Sequence, residues 1–388
     1  MAEYIINQYR GVFKRALELY QEEKFKEAGP LLELVVLNDP SNFNACYYLA
    51  DVLYYGKGLQ KNLKRAFQLF MIAATNKITE ASYMIGLCYL EGAGINQDST
   101  QAVAWFTEAA KYGHPLSQYY LGLSYMKGEG ISKDIPRACQ WLVHAAKQGV
   151  VEAQKEAGIC YEILGNMKGA ATLFLAGAEN GDAYCQERIA DCYAEGKGTR
   201  QCLELAFHYY ELAADQGNIK AQVKLGHRYA HGDGVARDIK RALDYYNKAA
   251  NGDEPEAQNA LAECYHLGDG ILKNDSLAIS WWTRAANLGN VDAMIHLAEN
   301  LTDPTDATIE EDLVTAKYWW TKAAESGDAY AMYRLGDCLE RGIGVSIISL
   351  DDAFKWYRLS SQNGNEEATE TCKRFTKTIT GKVKLKKI

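Results

Sequence analysis

The sequence predicts an all-α solenoid, a fold in which short helix hairpins stack in a row. One observation is a set of small residues at a nearly constant spacing: Ala81, Ser117, Ala153, Cys185, Ala221, Ala257, Ala293, Ala331 and Ala368. The successive intervals are 36, 36, 32, 36, 36, 36, 38 and 37 residues, and a period in this range is typical of helical repeats. The second observation is that each interval contains two amphipathic stretches around a turn, the pattern of a helix hairpin.

The unit that begins at Ala81 shows both helices clearly. Residues 81–90 carry small and apolar side chains at helical spacing, which predicts a first helix, here called helix A. Gly92 and Gly94 follow, and glycine tolerates the positive φ values that a helix C-terminus and a tight turn require. Asp98 then precedes a second apolar stripe, and an acidic residue stabilises the positive end of a helix. The stripe predicts a second helix, helix B.

The tryptophans all belong to helix B, in one register or the register beside it: Trp105, Trp141, Trp281, Trp282, Trp319, Trp320 and Trp356. Recurrence at one structural position predicts that they pack in the core and take no part in chemistry. A buried aromatic side chain removes about 150–250 Å² from water, a gross gain of ~4–6 kcal/mol before entropy is counted.

The combined pattern A-x4-G-x2-Y-x2-G-x-G-x7-A-x2-W-x3-A-A resembles the Sel-one-like repeat (SLR) family, a relative of the tetratricopeptide repeat. The resemblance divides residues 45–365 into nine SLR repeats, while residues 1–44 resemble a tetratricopeptide hairpin. A C-terminal capping helix is predicted at 366–379 and a basic flexible tail at 380–388. The resemblance therefore implies a right-handed α/α superhelical solenoid of about ten hairpins.

Two repeats depart from the pattern. In the fourth, the glycine turn is shortened to residues 162–169, and in the eighth it is replaced by an acidic stretch at 301–313 that contains Pro304. We interpret both departures as variation in loop length that the fold tolerates. A protruding contact loop, or a bend in the superhelix, is the alternative.

Composition limits the partners. The chain has 42 basic and 50 acidic residues, a net charge of −8, which argues against nucleic acid because phosphate binding needs basic patches. No apolar stretch approaches the length of a membrane span or a signal peptide, so we expect no membrane insertion and a cytoplasmic location, with signal-less export as an alternative. We also expect a monomer or a weak oligomer.

Ten cysteines raise the question of disulfides, because some SLR proteins are disulfide-rich. Five of them share one helix A register in separate repeats: Cys88, Cys160, Cys192, Cys264 and Cys338. Equivalent Cα atoms in adjacent repeats should be ~8–10 Å apart, beyond the ~7 Å limit for a bridge. We therefore expect reduced cysteines that act as small packing residues.

No set of residues points to catalysis. The sequence contains no nucleophile elbow, no paired-cysteine zinc spacing and no Walker lysine after its paired glycines. His227 and His231 lie four residues apart, and Glu263 and His266 occupy similar registers in the next repeat. One hypothesis is therefore that these residues bind a metal ion. We favour the interpretation that these four side chains are solvated or face a partner. The prediction is no enzyme, no cofactor and no metal.

The resemblance also predicts a partner-binding surface. In tetratricopeptide proteins certain helix A positions line the concave groove, and they correspond to the registers of Tyr83, Leu87, Leu90 and Glu91. The predicted partner-binding residues are Tyr47, Asp51, Tyr54, Tyr55, Tyr83, Leu87, Leu90, Tyr119, Leu123, Met126, Asp191, Glu195, His227 and His231. The groove is expected to be apolar at its N-terminal end and mostly acidic beyond.

An exposed apolar strip rimmed by charge usually marks a protein contact. The alternative is that neighbouring turns or the first hairpin fill the space. The function we predict is a non-enzymatic scaffold or adaptor for a protein or peptide, with a bacterial effector as one form of it. The alternative function is that of an immunity or inhibitor protein that binds one toxin or enzyme. A purely structural role would appear as self-assembly.

Overall fold

The computed structural model describes residues 2–302, 310–377 and 383–385. These residues form helix hairpins throughout, with a single two-stranded sheet near the C-terminus. The prediction of an all-α solenoid is confirmed. The chain divides into two compact units, Met1–Ala206 and Phe207–Ile388.

The first unit is built from eleven complete helices of the described residues, followed by a helix that contains the boundary. They are α1 (Ala2–Gln21), α2 (Phe25–Asn38), α3 (Phe43–Tyr55), α4 (Leu63–Thr75), α5 (Thr79–Glu91), α6 (Ser99–Lys111), α7 (Pro115–Lys127), α8 (Ile135–Lys147), α9 (Val151–Ile163), α10 (Met167–Glu179), α11 (Ala183–Glu195) and the boundary helix α12 (Leu203–Asp215).

The second unit continues the alternation of helix A and helix B. Its elements are α13 (Ile219–His231), α14 (Ile239–Ala250), α15 (Pro255–Leu267), α16 (Asp275–Asn287), α17 (Val291–Leu301), α18 (Glu310–Glu325), α19 (Ala329–Arg341), α20 (Leu350–Gln362), α21 (Glu366–Cys372), β1 (Phe375–Lys377) and β2 (Val383–Leu385). The two strands pair antiparallel, with Thr376 opposite Lys384.

Side-chain and glycine caps set the ends of the helices. The Asp98 carboxylate accepts hydrogen bonds from the backbone N–H groups of Thr100 at 2.9 Å and Gln101 at 3.0 Å, which starts α6. Gly92 ends α5 with a φ of 74°, and its N–H donates to the Cys88 carbonyl. Equivalent caps recur as Asp134, Asp238 and Asn274 before helix B and as Gly128, Gly232 and Gly268 after helix A.

The second glycine of the turn is required by contact with the preceding repeat. Gly94 has a φ of 78° and lies against the first residue of α4, so that a Cβ at this position would overlap the Leu63 carbonyl. The same overlap would occur between Gly130 and Ser99, Gly198 and Met167, and Gly344 and Leu313. Successive hairpins therefore meet backbone to backbone at this point.

The centre of the core lies one position after the Trp105 register. Phe106 and Tyr246 are buried there, whereas Trp105 is partly exposed and packs on the edge of the core. Consecutive helical residues point about 100° apart, so only one of the two can face the centre. The prediction that all tryptophans are core residues is correct for Trp282, Trp319 and Trp320 and wrong for Trp105, Trp141, Trp281 and Trp356, which are partly exposed.

The ten cysteines are unpaired, and eight of them are buried. Burial raises the pKa of Cys88 to about 12 and that of Cys338 to about 11, which keeps these thiols protonated and unreactive at neutral pH. They fill space between helices, as the register argument predicts. Within the described ranges, no helix combines the length and the apolar character needed to span a bilayer.

The C-terminal end differs from the prediction. The capping helix expected at 366–379 ends at Cys372, and Phe375 begins β1. The Phe375 ring packs on Phe354 at 5.4 Å and on Tyr357 at 5.7 Å, so that burial of this side chain against α20 replaces a further helical turn. Residues 383–385 of the predicted flexible tail form β2, and the Val383 N–H donates to Asp351 at 3.0 Å. The rest of that tail lies outside the described residues.

The two irregular repeats keep their hairpins. In the fourth, α9 and α10 are joined by residues 164–166, with Gly165 at a φ of 75°. In the eighth, α18 already begins at Glu310, so the C-terminal part of the predicted loop 301–313 is helical. Residues 303–309 of that loop lie outside the described residues.

Candidate partner-binding surfaces

Three of the predicted groove residues in the first unit are buried. Asp51 accepts a hydrogen bond from the Tyr20 hydroxyl of α1, and the Tyr54 hydroxyl donates to Glu91 Oε2 at 2.8 Å. Leu87 belongs to the hydrophobic core. Burial raises the pKa of Asp51, although the Tyr20 hydrogen bond opposes it. The first hairpin and the following repeat therefore shield these side chains from a partner.

The remaining predicted residues of the first three SLR repeats form a partly exposed strip, the apolar stripe, which we define as Tyr47, Tyr55, Tyr83, Leu90, Tyr119, Leu123 and Met126. The tyrosine rings are held by aromatic neighbours. Tyr47 packs on Phe70 with centroids 5.9 Å apart, and Tyr83 packs on His114 at 4.7 Å. Burial raises the pKa of the Tyr83 hydroxyl, so it stays neutral. Apart from the exposed Tyr55, the stripe residues pack against the core and stay partly exposed.

The charged residues predicted beyond the stripe already have partners. Asp191 accepts from Arg188 Nη1 at 2.9 Å, and the other Arg188 nitrogen pairs with Glu162. Glu195 is exposed and pairs with Lys197 at 2.5 Å. This part of the first unit is therefore a neutralised polar surface.

The second unit contains a cleft of 650 Å³ between α13, α14, α15 and the start of α17, here called the acidic cleft. Its charged and polar lining residues include His227, His231, Arg237, Tyr246, Glu256, Asn259, Glu263, Asp269, Asn290 and Asp292. The only arginine in this lining, Arg237, donates two hydrogen bonds to Asp269, at 2.9 and 2.6 Å. Three further carboxylates remain, which gives the cleft an excess of negative charge.

One wall of the cleft is a histidine held between two partners. His227 Nε2 lies 3.1 Å from Glu256 Oε1, and its Nδ1 lies 3.0 Å from the Tyr246 hydroxyl. A tautomer with the proton on Nε2 satisfies both contacts, because the hydroxyl then donates to Nδ1. The hydrogen bond from His227 lowers the pKa of Glu256 despite its partial burial. His231, the second predicted histidine, is exposed, and its Nδ1 contacts the His227 carbonyl at 2.9 Å.

The floor of the cleft is organised around Glu263. Asn259 Nδ2 donates to Glu263 Oε1 at 2.7 Å, and His296 Nε2 lies 3.3 Å from the same oxygen. Burial alone would raise the pKa of Glu263, but these two partners hold it below its usual value, and Glu263 in turn raises the pKa of His296. The carboxylate is therefore ionised at neutral pH.

Asn259 leaves one polar atom unsatisfied. Its NH₂ group must face Glu263, since a carboxylate oxygen only accepts, and this fixes the orientation of the amide. The carbonyl Oδ1 is then a buried acceptor with no hydrogen-bond partner in the described part of the chain. A buried acceptor without a donor costs about 1–3 kcal/mol.

A second, smaller cleft of 310 Å³ adjoins the first and shares Glu263 and Leu267 with it. Trp282 lines it and stacks on His296, with ring centroids 5.2 Å apart and an interplanar angle of 28°. His266 pairs separately with Asp275 at 2.8 Å. The histidines and carboxylates are thus divided into pairs, and no group of three or more is placed to hold a metal in the ranges that the structure describes.

Sequence reasoning missed Glu256, Asn259 and His296 as members of this surface. Asn259 occupies the same helix A register as Tyr83, so comparing every repeat at that register would have found it. Glu256 precedes the recurring small residue of its repeat, and His296 lies one position after the Tyr83 register. The pairing of Glu256 with His227 and that of His296 with Glu263 cross from one repeat to the next and have no signal in the sequence.

The pair formed by Glu263 and His296 predicts a pH-dependent contribution to stability. A lowered Glu263 pKa stabilises the fold above its unfolded value of 4.5, and a raised His296 pKa stabilises it below the unfolded value of 6.5. The contribution is therefore largest between these values and disappears as His296 deprotonates at higher pH. Because both side chains are partly exposed, we expect about 0.5 kcal/mol.

Urea unfolding of wild type and His296→Gln at about pH 5.5 and about pH 8 tests this expectation. Glutamine keeps a neutral hydrogen-bond donor and removes the titration, while the stacking on Trp282 is lost at both pH values alike. The stability difference should be larger at the lower pH. An equal or larger difference at about pH 8 would contradict the assignment.

Comparison with known proteins identifies the repeats. The Sel1 repeat model matches eight segments: residues 44–77, 79–114, 115–150, 183–218, 219–254, 255–290, 291–328 and 329–365. The unmatched interval 151–182 is the fourth repeat, where the structure nevertheless forms the hairpin of α9 and α10. No curated protein sequence matches the chain.

The solved structures that are similar to the chain include two repeat proteins from bacteria. A protective antigen present in uropathogenic Escherichia coli strains, which displays an SLR fold, is 27% identical and has a TM-score of 0.82; the match covers 96% of this chain and 81% of that one. A Sel1 repeat protein from Oxalobacter formigenes is 24% identical over 86% of this chain and 87% of its own, with a TM-score of 0.51, and supports the fold alone. The chain belongs to the Sel1 repeat family, whose proteins generally mediate protein–protein interaction.

Proposed function

We propose that the chain is a non-enzymatic scaffold or adaptor that binds a protein or peptide partner on the helix A faces of its repeats. The observation that carries the proposal is the apolar stripe, in which Tyr55 is 51% exposed beside the partly exposed Tyr83 and Tyr119. Tyr83 and Tyr119 occupy equivalent positions in α5 and α7, and Tyr55 is the last residue of α3. Such a strip is unusual on a surface that contacts water only.

The stripe suits an apolar anchor of a partner. Tyrosine offers a large contact area with few rotatable bonds, and aromatic residues dominate the binding energy of many interfaces. Packing of Tyr83 on Phe106 and His114 fixes its ring before any partner arrives. Binding therefore needs little additional ordering of the chain, which favours affinity.

No reaction is part of this proposal, because the histidines and carboxylates at the two clefts of the second unit are divided into separate pairs. A bacterial effector that engages host proteins is one form of the scaffold. An immunity or inhibitor protein is the rival, and it requires one partner bound in a tight stoichiometric complex.

The test compares partner capture by wild type, by Tyr55→Ala/Tyr119→Ala, and by Tyr112→Ala. Tyr112 is 65% exposed at the end of α6, outside the stripe, so its loss removes a tyrosine ring that is more exposed than those of the stripe. Captured proteins are quantified by mass spectrometry, and the affinity of the most enriched protein is then measured with purified components. The stripe variant should bind at least about tenfold more weakly, while Tyr112→Ala should match wild type.

Circular dichroism of each variant confirms that it is folded before its binding is compared. Equal capture by the stripe variant and wild type would remove the stripe as the binding surface. Capture of one protein with one-to-one stoichiometry and subnanomolar affinity would favour the immunity or inhibitor role.

A further inference from the structure

We propose that a pocket near the C-terminus of the second unit, here called the C-terminal pocket, binds the carboxylate of an apolar acid. Such an acid is either the last residue of a partner chain or a small free molecule, and the choice of test ligands separates these two sources. The proposal goes beyond the scaffold function and does not involve the apolar stripe. It rests on the apolar walls of the pocket and on an arginine that lines it.

The walls of the pocket are aromatic and aliphatic. It has a volume of 280 Å³, lies between α20 and the two-stranded sheet, and is lined by Phe354, Arg358, Phe375, Thr376 and Val383. The rings of Phe354 and Phe375 pack with centroids 5.4 Å apart, and Phe354 and Val383 stay partly exposed. Pockets for drug-sized ligands have volumes of about 300–1,000 Å³, so this pocket suits a smaller group, such as one apolar side chain.

Contacts with α20 hold these walls in place before a ligand enters. The Phe375 ring also packs on Tyr357, with centroids 5.7 Å apart. The Val383 N–H donates to the Asp351 carboxylate at 3.0 Å, which attaches β2 to the same helix. Binding in the pocket therefore requires little additional ordering of the chain, which favours affinity.

Arg358 is the charged residue of this lining, and its side chain is exposed. Its guanidinium makes no hydrogen bond or ion pair with the residues that the structure describes. Other arginines that line cavities are neutralised: Arg65 pairs with Glu33 at 2.5 Å, and Arg237 of the acidic cleft pairs with Asp269. The guanidinium of Arg358 is thus available to an anionic ligand in the pocket.

One guanidinium beside apolar walls matches a singly charged carboxylate. A guanidinium donates two parallel hydrogen bonds to a carboxylate and balances its single charge. A phosphate monoester carries about −1.5 to −2 at neutral pH, so part of its charge would stay unbalanced. Asp351, about two helical turns before Arg358 on α20, would repel that excess. The apolar part of the acid then contacts the two phenylalanine rings and Val383.

The experiment uses the full chain and three fluorescein-labelled Gly/Ser peptides that differ only at the C-terminus. They end in phenylalanine with a free carboxylate, in phenylalanine amide, or in serine with a free carboxylate. Fluorescence anisotropy gives the Kd of each peptide. Isothermal titration calorimetry gives the Kd of phenylacetate, which carries the ring and the carboxylate without a peptide.

Every ligand is measured with wild type, Arg358→Gln and Lys355→Gln. Lys355 is exposed on the same helix and lies outside the lining of the pocket, so its substitution removes the same charge. The peptide with a phenylalanine carboxylate should bind wild type at least about tenfold more tightly than either other peptide. Arg358→Gln should weaken this binding about tenfold, and Lys355→Gln should change it less than about twofold. Circular dichroism verifies the fold of each variant.

The two sources of the acid give different results, and both support the pocket. If phenylacetate binds at least as tightly as the phenylalanine peptide and depends equally on Arg358, a free acid is sufficient. If the peptide binds more tightly, the C-terminus of a partner chain is the better ligand.

Four results would overturn the proposal. They are absence of binding by both the phenylalanine peptide and phenylacetate, equal binding of the amide peptide, equal binding of the serine peptide, and equal weakening by Arg358→Gln and Lys355→Gln. The outcome is separable from the scaffold test, because Tyr55→Ala/Tyr119→Ala changes only the first unit and should leave binding of the phenylalanine peptide unchanged.

Discussion

Replacing Gly94 with alanine is expected to lower the free energy of unfolding by about 3 kcal/mol or more. Two effects add. The φ of 78° places a side chain in the left-handed region, which costs about 1–2 kcal/mol for a residue with a Cβ. The new Cβ also overlaps the Leu63 carbonyl, and because that atom belongs to the backbone of α4, relief requires the two hairpins to move apart.

Gly113→Ala is the matched control for this substitution. Gly113 has a φ of 86°, but a Cβ there meets no atom within 4 Å, so only the backbone cost of about 1–2 kcal/mol applies. Urea unfolding followed by circular dichroism measures both variants. Equal losses in the two variants would show that contact between successive repeats contributes nothing at Gly94.

Gly94 shows which structural features the sequence predicts and which it does not. The period of the small residues and the amphipathic stripes predict the hairpins, and Asp98 and Gly92 predict helix ends that the structure confirms. The pattern also predicts two glycines per turn, but it assigns both to turn geometry. Contact of Gly94 with Leu63 joins residues of neighbouring repeats, and a local sequence pattern contains no information on that distance.

The core shows a similar limit. Adjacent apolar residues in helix B, such as Trp105 and Phe106, both fit a helical stripe, and the sequence favours the larger tryptophan as the centre. The structure buries Phe106 and leaves Trp105 at the edge. Only the helix opposite, which brings Gly86 against the Phe106 ring, determines which of the two positions is enclosed.

The sequence predicts which residues lie on the helix A face of each repeat, but it does not predict which of them are exposed. Alignment to tetratricopeptide relatives selected Asp51 and Tyr83 equally, yet the Tyr20 hydroxyl of the first hairpin binds Asp51 and buries it. Likewise, Glu263 could be placed on helix A, but its hydrogen bond to His296 spans two repeats. Which residues a neighbouring repeat covers depends on packing, which the spacing of one chain does not encode.

The second large effect is expected at the best-buried tryptophan. Trp320 is 0% exposed, contacts Tyr330 edge to face at 5.7 Å, and carries the Arg334 guanidinium 4.9 Å from its ring. Trp320→Ala should therefore lower the free energy of unfolding by about 3–5 kcal/mol, through lost burial and the cavity that remains. Trp281 lies in the helix B register beside that of Trp320, and its ring is partly exposed. Trp281→Ala should therefore lower the free energy of unfolding by only about 1–2 kcal/mol.

Trp320→Phe separates the volume of this side chain from its polarity. The Trp320 Nε1–H is buried with no hydrogen-bond partner in the part of the chain that the structure describes, so removing it relieves a desolvation cost of about 1–3 kcal/mol. This gain offsets much of the lost ring volume, and we expect Trp320→Phe to remain within about 1 kcal/mol of wild type. Urea unfolding of the three variants measures the order of their stabilities. If Trp320→Phe were as damaging as Trp320→Ala, the Nε1–H would have a partner in solution, and the core at α18 would be organised around that hydrogen bond rather than around the volume of the ring.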